Sequence, residues 1–191
     1  VDLLPTIDRI SAERRAETSD SAKAEWGQYF TSPAVASFMA SLLDPLPGKQ
    51  VRILDPGAGT GILGAAATEA AFSHGASAVD LVTIEAEPRT TPALRRSLAT
   101  LSGAFGDRFR AEVIHEDFLE AGQPQLGHKA LPTDFDVAIA NPPYFKMSPS
   151  LVRGGDAPNI YARFMEVAAG LLRPGGAPRV PGAGPRLRVA A

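Results

Sequence analysis

Asn141-Pro142-Pro143-Tyr144 is the part of the sequence whose chemistry is most specific. Two consecutive prolines fix the backbone and cannot donate, so the turn aims carbonyl oxygens outward beside the Asn141 side-chain oxygen. Together these acceptors suit both protons of an –NH2 group. An aromatic amine is a poor nucleophile because its lone pair is delocalised, and two aimed acceptors favour a pyramidal nitrogen as positive charge develops. Tyr144 then offers a face on which a planar base can stack.

A second group, Asp55-Pro56-Gly57-Ala58-Gly59-Thr60-Gly61, has the glycines that let a backbone turn tightly and approach a ligand. Gly59 to Gly64 also fits G-x-G-x-x-G, the pattern of dinucleotide sites. Asp55 would repel a pyrophosphate, however, and suits a cationic ligand such as a sulfonium that carries an ammonium group. A dehydrogenase would also leave Asn141 to Tyr144 without a task. Glu85 lies roughly 20 residues beyond the glycines, where an acidic side chain accepts from ribose hydroxyls. Glu87 competes for that role; Glu85 is preferred because it directly follows Val82-Thr83-Ile84. Asp117-Phe118 suits an adenine, with the carboxylate accepting from the amino group and the ring packing on a face.

These groups need a frame that brings them together. Residues 51–55, 79–85, 111–114 and 135–140 read as strands, and each of the four groups sits at or just after the carboxyl end of one of them. Helical patterns at 62–72 and 91–101 separate the strands, the second with Leu94, Leu98 and Leu101 on one face. Alternating strands and helices imply right-handed crossovers and an α/β doubly wound, mostly parallel sheet. Before the first strand, Val35, Phe38, Met39, Leu42 and Leu43 have the spacing of an amphipathic helix, with Thr31 or Ser32 as N-cap and Pro33 near its first position. Residues 8–25 are charged with weak apolar periodicity and read as a surface helix or mobile arm of little consequence for chemistry. Residues 121–133 and 147–158 read as loops, and 160–172 as a further helix.

The tail, 177–191, is mostly Ala, Pro, Gly and Arg. Pro178, Pro181 and Pro185 lack ladder donors, so it reads as irregular and cannot supply a central strand. The 191 residues fit one domain, with 45% hydrophobic and 21% charged residues. A net charge of −2 argues against a surface that grips phosphates along its whole extent. Cysteine is absent, which removes disulfide and thiolate chemistry, and His74, His115 and His128 lack metal-ligand spacing, so no metal is expected. With no apolar run of membrane-spanning length and no signal-peptide pattern, the expected location is the cytoplasm.

Taken together, the chain resembles the class I methyltransferases that use S-adenosyl-L-methionine (AdoMet) to modify the N6 amino group of DNA adenine, in the subgroup whose cofactor motif precedes its catalytic motif. The likeness runs over residues 27–176. It implies a cofactor set of Thr31, within Gly27-Gln28-Tyr29-Phe30-Thr31-Ser32-Pro33, then Asp55, Gly57, Gly59, Glu85, Asp117, Phe118 and Phe164, the last within Tyr161-Ala162-Arg163-Phe164. It implies catalysis by Asn141, Pro142 and Tyr144 on an adenine flipped out of double-stranded DNA. A modification methylase of a restriction-modification system is the implied setting, with a cognate endonuclease as possible partner. The domain plan that follows is an N-terminal helical arm (1–26), a partial AdoMet-binding catalytic domain (27–176) and an irregular tail (177–191). Because the family continues beyond Gly175-Gly176 into further strands and a target-recognition region, the expectations are a fragment or interrupted reading frame, a sheet incomplete at its C-terminal side, and no activity of the chain alone. A protein-glutamine or RNA amino-methyltransferase, or a non-catalytic remnant, stays open as an alternative.

Overall fold

A computed structural model of the chain describes residues 2–17, 31–122, 130–142, 160–173 and 187–189. Short aliphatic runs form five parallel strands: β1 (Gln50–Pro56), β2 (Ala78–Ile84), β3 (Phe109–Ile114), β4 (Val137–Ala140) and β5 (Leu187–Val189), in the order β3-β2-β1-β4-β5. The chain thus steps outward in one direction from β1 to β3 and returns to lay β4 on the opposite side of β1. That reversal opens a crevice at the carboxyl ends of β1 and β4, the place where open α/β sheets bind ligands.

Helices cover both faces. On one lie α1 (Leu4–Glu17), α2 (Pro33–Ser41), α3 (Ile62–Ser73) and α4 (Thr91–Phe105); on the other lie the short α5 (Phe118–Ala121) and α6 (Ile160–Gly170). Strand alternation divides the core accordingly. Val51, Ile53, Val79, Leu81 and Ile139 face α1 to α4, whereas Leu54, Val82, Ile84, Ala138 and Ala140 face the cluster around Phe118, Phe135 and Phe164. Buried side chains on both sides of each central strand explain why these segments read as continuous apolar runs.

Three features depart from the sequence reading. α1 is a packed element: Leu4, Ile7, Ile10, Ser11 and Arg14 are buried, and Ile7 is fully enclosed in the same core as Met39 and Leu63. Its inward stripe follows helical spacing but turns polar at Ser11 and Arg14, which hides it from a count of apolar residues. In α2, Ser32 is the N-cap, with its hydroxyl accepting from the Val35 amide at 3.4 Å. The buried face of that helix is Ala36, Met39 and Ala40, followed by Leu43, while Val35, Phe38 and Leu42 are exposed, Phe38 at 64%. Two stripes compete on this helix, and the small alanines win because they let α2 approach α3 closely. The tail is the third: Leu187–Val189 pair with Ala138–Ala140 as β5, within the six residues after Pro185 that contain neither proline nor glycine. Among the described residues no helix is long and apolar enough to cross a membrane.

The docking of α1 is open to measurement. Ile7→Ala removes a side chain with no solvent exposure, and urea unfolding should show a loss of about 2–4 kcal/mol; a mobile arm would tolerate the same change within about 0.5 kcal/mol.

Candidate cofactor and amine site

The glycine loop leaves β1 through three residues that adopt positive φ: Gly57 (69°), Gly59 (57°) and Gly61 (85°). A side chain would be strained at each. The loop is pinned to β2 by the amides of Gly57 and Ala58, which donate to the Ile84 carbonyl at 2.8 and 3.0 Å. Gly61 caps α3 in the left-handed conformation, and a Cβ there would meet Leu94 Cδ1 at 2.8 Å. At Gly59 the space a Cβ would take is open, with nothing within 4 Å.

Asp55, near the end of β1, is fully buried. Its Oδ2 accepts from the Gly64 amide at 2.8 Å, while Oδ1 has no hydrogen-bond partner among the described residues. Gly64 must be glycine for this contact, since a Cβ would lie 2.9 Å from that same oxygen. Burial pushes the Asp55 carboxyl up to about 7; the Gly64 amide opposes this and the nearby Glu85 adds to it. An enclosed acid with one unsatisfied oxygen is costly to fold and marks a place built for a partner.

Glu85 follows β2 and is 7% exposed. Its Oε2 accepts from the Gly59 amide at 2.6 Å and its Oε1 from the Glu87 amide at 2.8 Å. Burial raises its pKa, those two amides draw it back, the Glu87 carboxylate raises it and His115 lowers it. A carboxylate has about four acceptor sites, so two amides do not exhaust it. Glu87, the competing acid, is committed elsewhere: Arg14 donates to it at 2.9 and 3.2 Å and Thr90 at 2.7 Å.

On the other face, Asp117 caps α5 with Oδ1, which accepts from the Leu119 and Glu120 amides at 2.8 and 3.0 Å. These two bonds fix the carboxylate at the start of α5. Phe118 and Phe164 are buried, with ring centroids 4.6 Å apart. The edge of Phe164 reaches under the glycine loop, 3.6 Å from where a Cβ of Gly57 would stand.

Asn141 emerges from β4 next to this loop. Leu54 pairs with Ala138, so Gly57 and Asn141 each lie three residues beyond the same rung. Asn141 Nδ2 donates to the Thr31 hydroxyl at 3.1 Å, across 110 residues of sequence. Oδ1 is the acceptor atom of this amide. Pro142 is buried and closes the described part of the turn. Tyr144, with Pro143, lies outside the described residues, as does the stretch from Gly27 to Phe30. The sequence reading missed Arg14 and Ser11, which reach the site's loops from α1. Their only signal was position on a helical stripe continuing Leu4 and Ile7.

Comparison with known proteins gives the family. Type II methyltransferase M.PstI of Providencia stuartii is 28% identical over 180 residues, covering 89% of this chain and 35% of its own length. Type II methyltransferase M.BsuBI of Bacillus subtilis is 30% identical over 166 residues, covering 81% of this chain and 33% of its own length. The chain therefore spans about a third of the length of the curated relatives it matches. Among solved structures, the methyltransferase subunit of a type I restriction-modification system from Streptococcus thermophilus superposes with a TM-score of 0.58 at 21% identity, over 76% of this chain and 32% of that one. That likeness is one of fold, a class I methyltransferase sheet. The family model described as N-6 DNA Methylase matches residues 15–153, a stretch that holds Thr31, the glycine loop, Glu85 and Asn141 together. The chain belongs to the N-6 DNA methylase family.

Proposed function

We propose that this chain supplies the AdoMet-binding and catalytic portion of a methyltransferase acting on the N6 amino group of adenine in DNA, as the modification enzyme of a restriction-modification system. The observation that carries the reading is the Asn141–Thr31 hydrogen bond at the sheet edge where the Asp55 loop and Glu85 also end. It ties the amide suited to an –NH2 group to Thr31, a residue expected to hold the cofactor.

The residues fit AdoMet on two points: the unpartnered Oδ1 of buried Asp55, and the open space above Gly59 where a side chain would intrude. Thr31 and Asp55 would hold the methionine part, Glu85 the ribose hydroxyls, and Asp117, Phe118 and Phe164 the adenine. When bound, the cofactor supplies an electrophilic methyl group. Asn141 Oδ1 and the carbonyl preceding the second proline accept the two amine protons and keep the nitrogen lone pair directed at the reacting carbon. Tyr144 stacks on the base, which must leave the duplex to arrive there. The net charge of −2 leaves most of the DNA grip to regions outside this chain, in keeping with its covering a third of its relatives. The cytoplasm, where DNA is accessible, and a cognate endonuclease complete the setting.

Two outcomes are expected. The affinity of the chain for AdoMet should rise as pH increases through about 7, because the ligand's positive charge favours ionised Asp55. The folding sign is opposite: a carboxyl with a raised folded pKa favours the native state when protonated, so stability of the free chain should fall between about 4 and about 7. Calorimetry and urea unfolding across that range test both effects, and Asp55→Asn should flatten both. In the complete methyltransferase, Asn141→Ala should reduce methyl transfer to DNA by about 10²-fold or more while AdoMet binding stays within a few-fold of wild type. Radiolabelled methyl transfer followed by nucleoside analysis is the measurement; label appearing in protein or RNA instead of DNA would overturn the substrate assignment.

A further inference from the structure

α1 reaches the site's loops through two buried polar residues, Ser11 and Arg14. The Ser11 hydroxyl lies 2.5 Å from that of Thr60, inside the glycine loop. One turn later, Arg14 grips Glu87 through both carboxylate oxygens. These two attachments flank the same group. Thr60 follows Gly59, whose amide donates to Glu85 Oε2, and Glu87 is the residue whose amide donates to Glu85 Oε1. Both segments that orient the Glu85 carboxylate are therefore tied to one face of one helix.

We propose that α1 is a positioning element for the cofactor site, with Ser11 and Arg14 fixing the Glu85 carboxylate by holding the two backbone segments that donate to it. Stability alone is a poor reason for this arrangement. A buried ion pair seldom stabilises more than apolar residues of similar size would, and the preceding turns of the same face use Leu4 and Ile7. What Arg14 adds is direction: its Nη2 donates to both Glu87 oxygens while its Nε donates to the Thr90 hydroxyl at 3.4 Å, so one planar guanidinium holds Glu87 together with the hydroxyl that also donates to it.

The proposal rests on Glu85 being the ribose acceptor, and the test separates the two ideas. Wild type, Arg14→Met, Arg14→Lys and Ser11→Ala would be titrated calorimetrically with S-adenosylhomocysteine and with its 2′,3′-dideoxy counterpart. Wild type should prefer the hydroxylated ligand. Arg14→Met should lose about tenfold of that preference, the worth of a hydrogen bond to a charged group, with its affinity for the dideoxy ligand little changed. Arg14→Lys should recover part of it, and Ser11→Ala should lose a smaller share. Equal weakening toward both ligands, or none, overturns the positioning role. Amide hydrogen exchange without ligand gives the independent readout: faster exchange confined to Gly59 and Glu87 in Arg14→Met or Ser11→Ala upholds it, and unchanged exchange overturns it. A wild type that does not distinguish the ligands refutes Glu85 as ribose acceptor, while the exchange result still decides the role of α1.

Discussion

Parallel pairing of β1 with β4 at the point where strand order reverses is the constraint on which the site depends. Neither strand contains the whole chemistry. β1 delivers Asp55 and the glycine loop, β4 delivers Asn141, and only their common register brings the two loops to one edge. Register in a sheet buried on both faces is strictly set, because a shift of one residue would exchange the two cores and move Leu54 and Ala138 onto the wrong side. The packing that stabilises the sheet is thus the same packing that aligns the site.

Within that frame, the acids are divided by environment. Asp55 is enclosed with one oxygen unsatisfied, Glu85 is enclosed with both oxygens engaged by backbone amides, and Glu87 is neutralised by Arg14. Three carboxylates within one short arc would repel one another if all were alike. Burial raises the pKa of both Asp55 and Glu85, two backbone amides draw Glu85 back where one draws Asp55, and Arg14 offsets the charge of Glu87. A cationic ligand meets a site whose negative charge is graded rather than uniform.

Much of this was legible in the sequence, for reasons that differ by residue. The glycine loop and the strand ends announce themselves locally, since tight turns and buried parallel strands have few alternative compositions. Sequence alone held no sign that Glu87 is engaged by Arg14 and Thr90. Its partner Arg14 stands 73 residues away, and Ser11 stands 49 from Thr60. Long-range pairing leaves no periodic trace, and polar residues on an inward stripe dilute the apolar pattern that would reveal it. The orientation of α2 failed for a related reason: Ala36 and Ala40 carry little hydrophobic weight, yet close helix packing favours them over Val35, Phe38 and Leu42. Asp117 shows a third case, in which the sequence reading gave no sign that the carboxylate caps a helix.

The same long separations bear on how the molecule assembles. Ile53 meets Val137 across 84 residues, and no parallel neighbour can be reached by a tight hairpin. Loop closure on this scale must be met before the contacts that reward it exist, which makes such topologies slow to fold relative to locally connected ones. During synthesis α1 leaves the ribosome long before Thr60 and Glu87, so its polar inner face gains its first partner only after β1 and its second only after β2. Cofactor-binding geometry is consequently a product of late, non-local folding events, and a chaperone or a slowed ribosome acting after β1 would influence the yield of competent sites without altering a single residue of them.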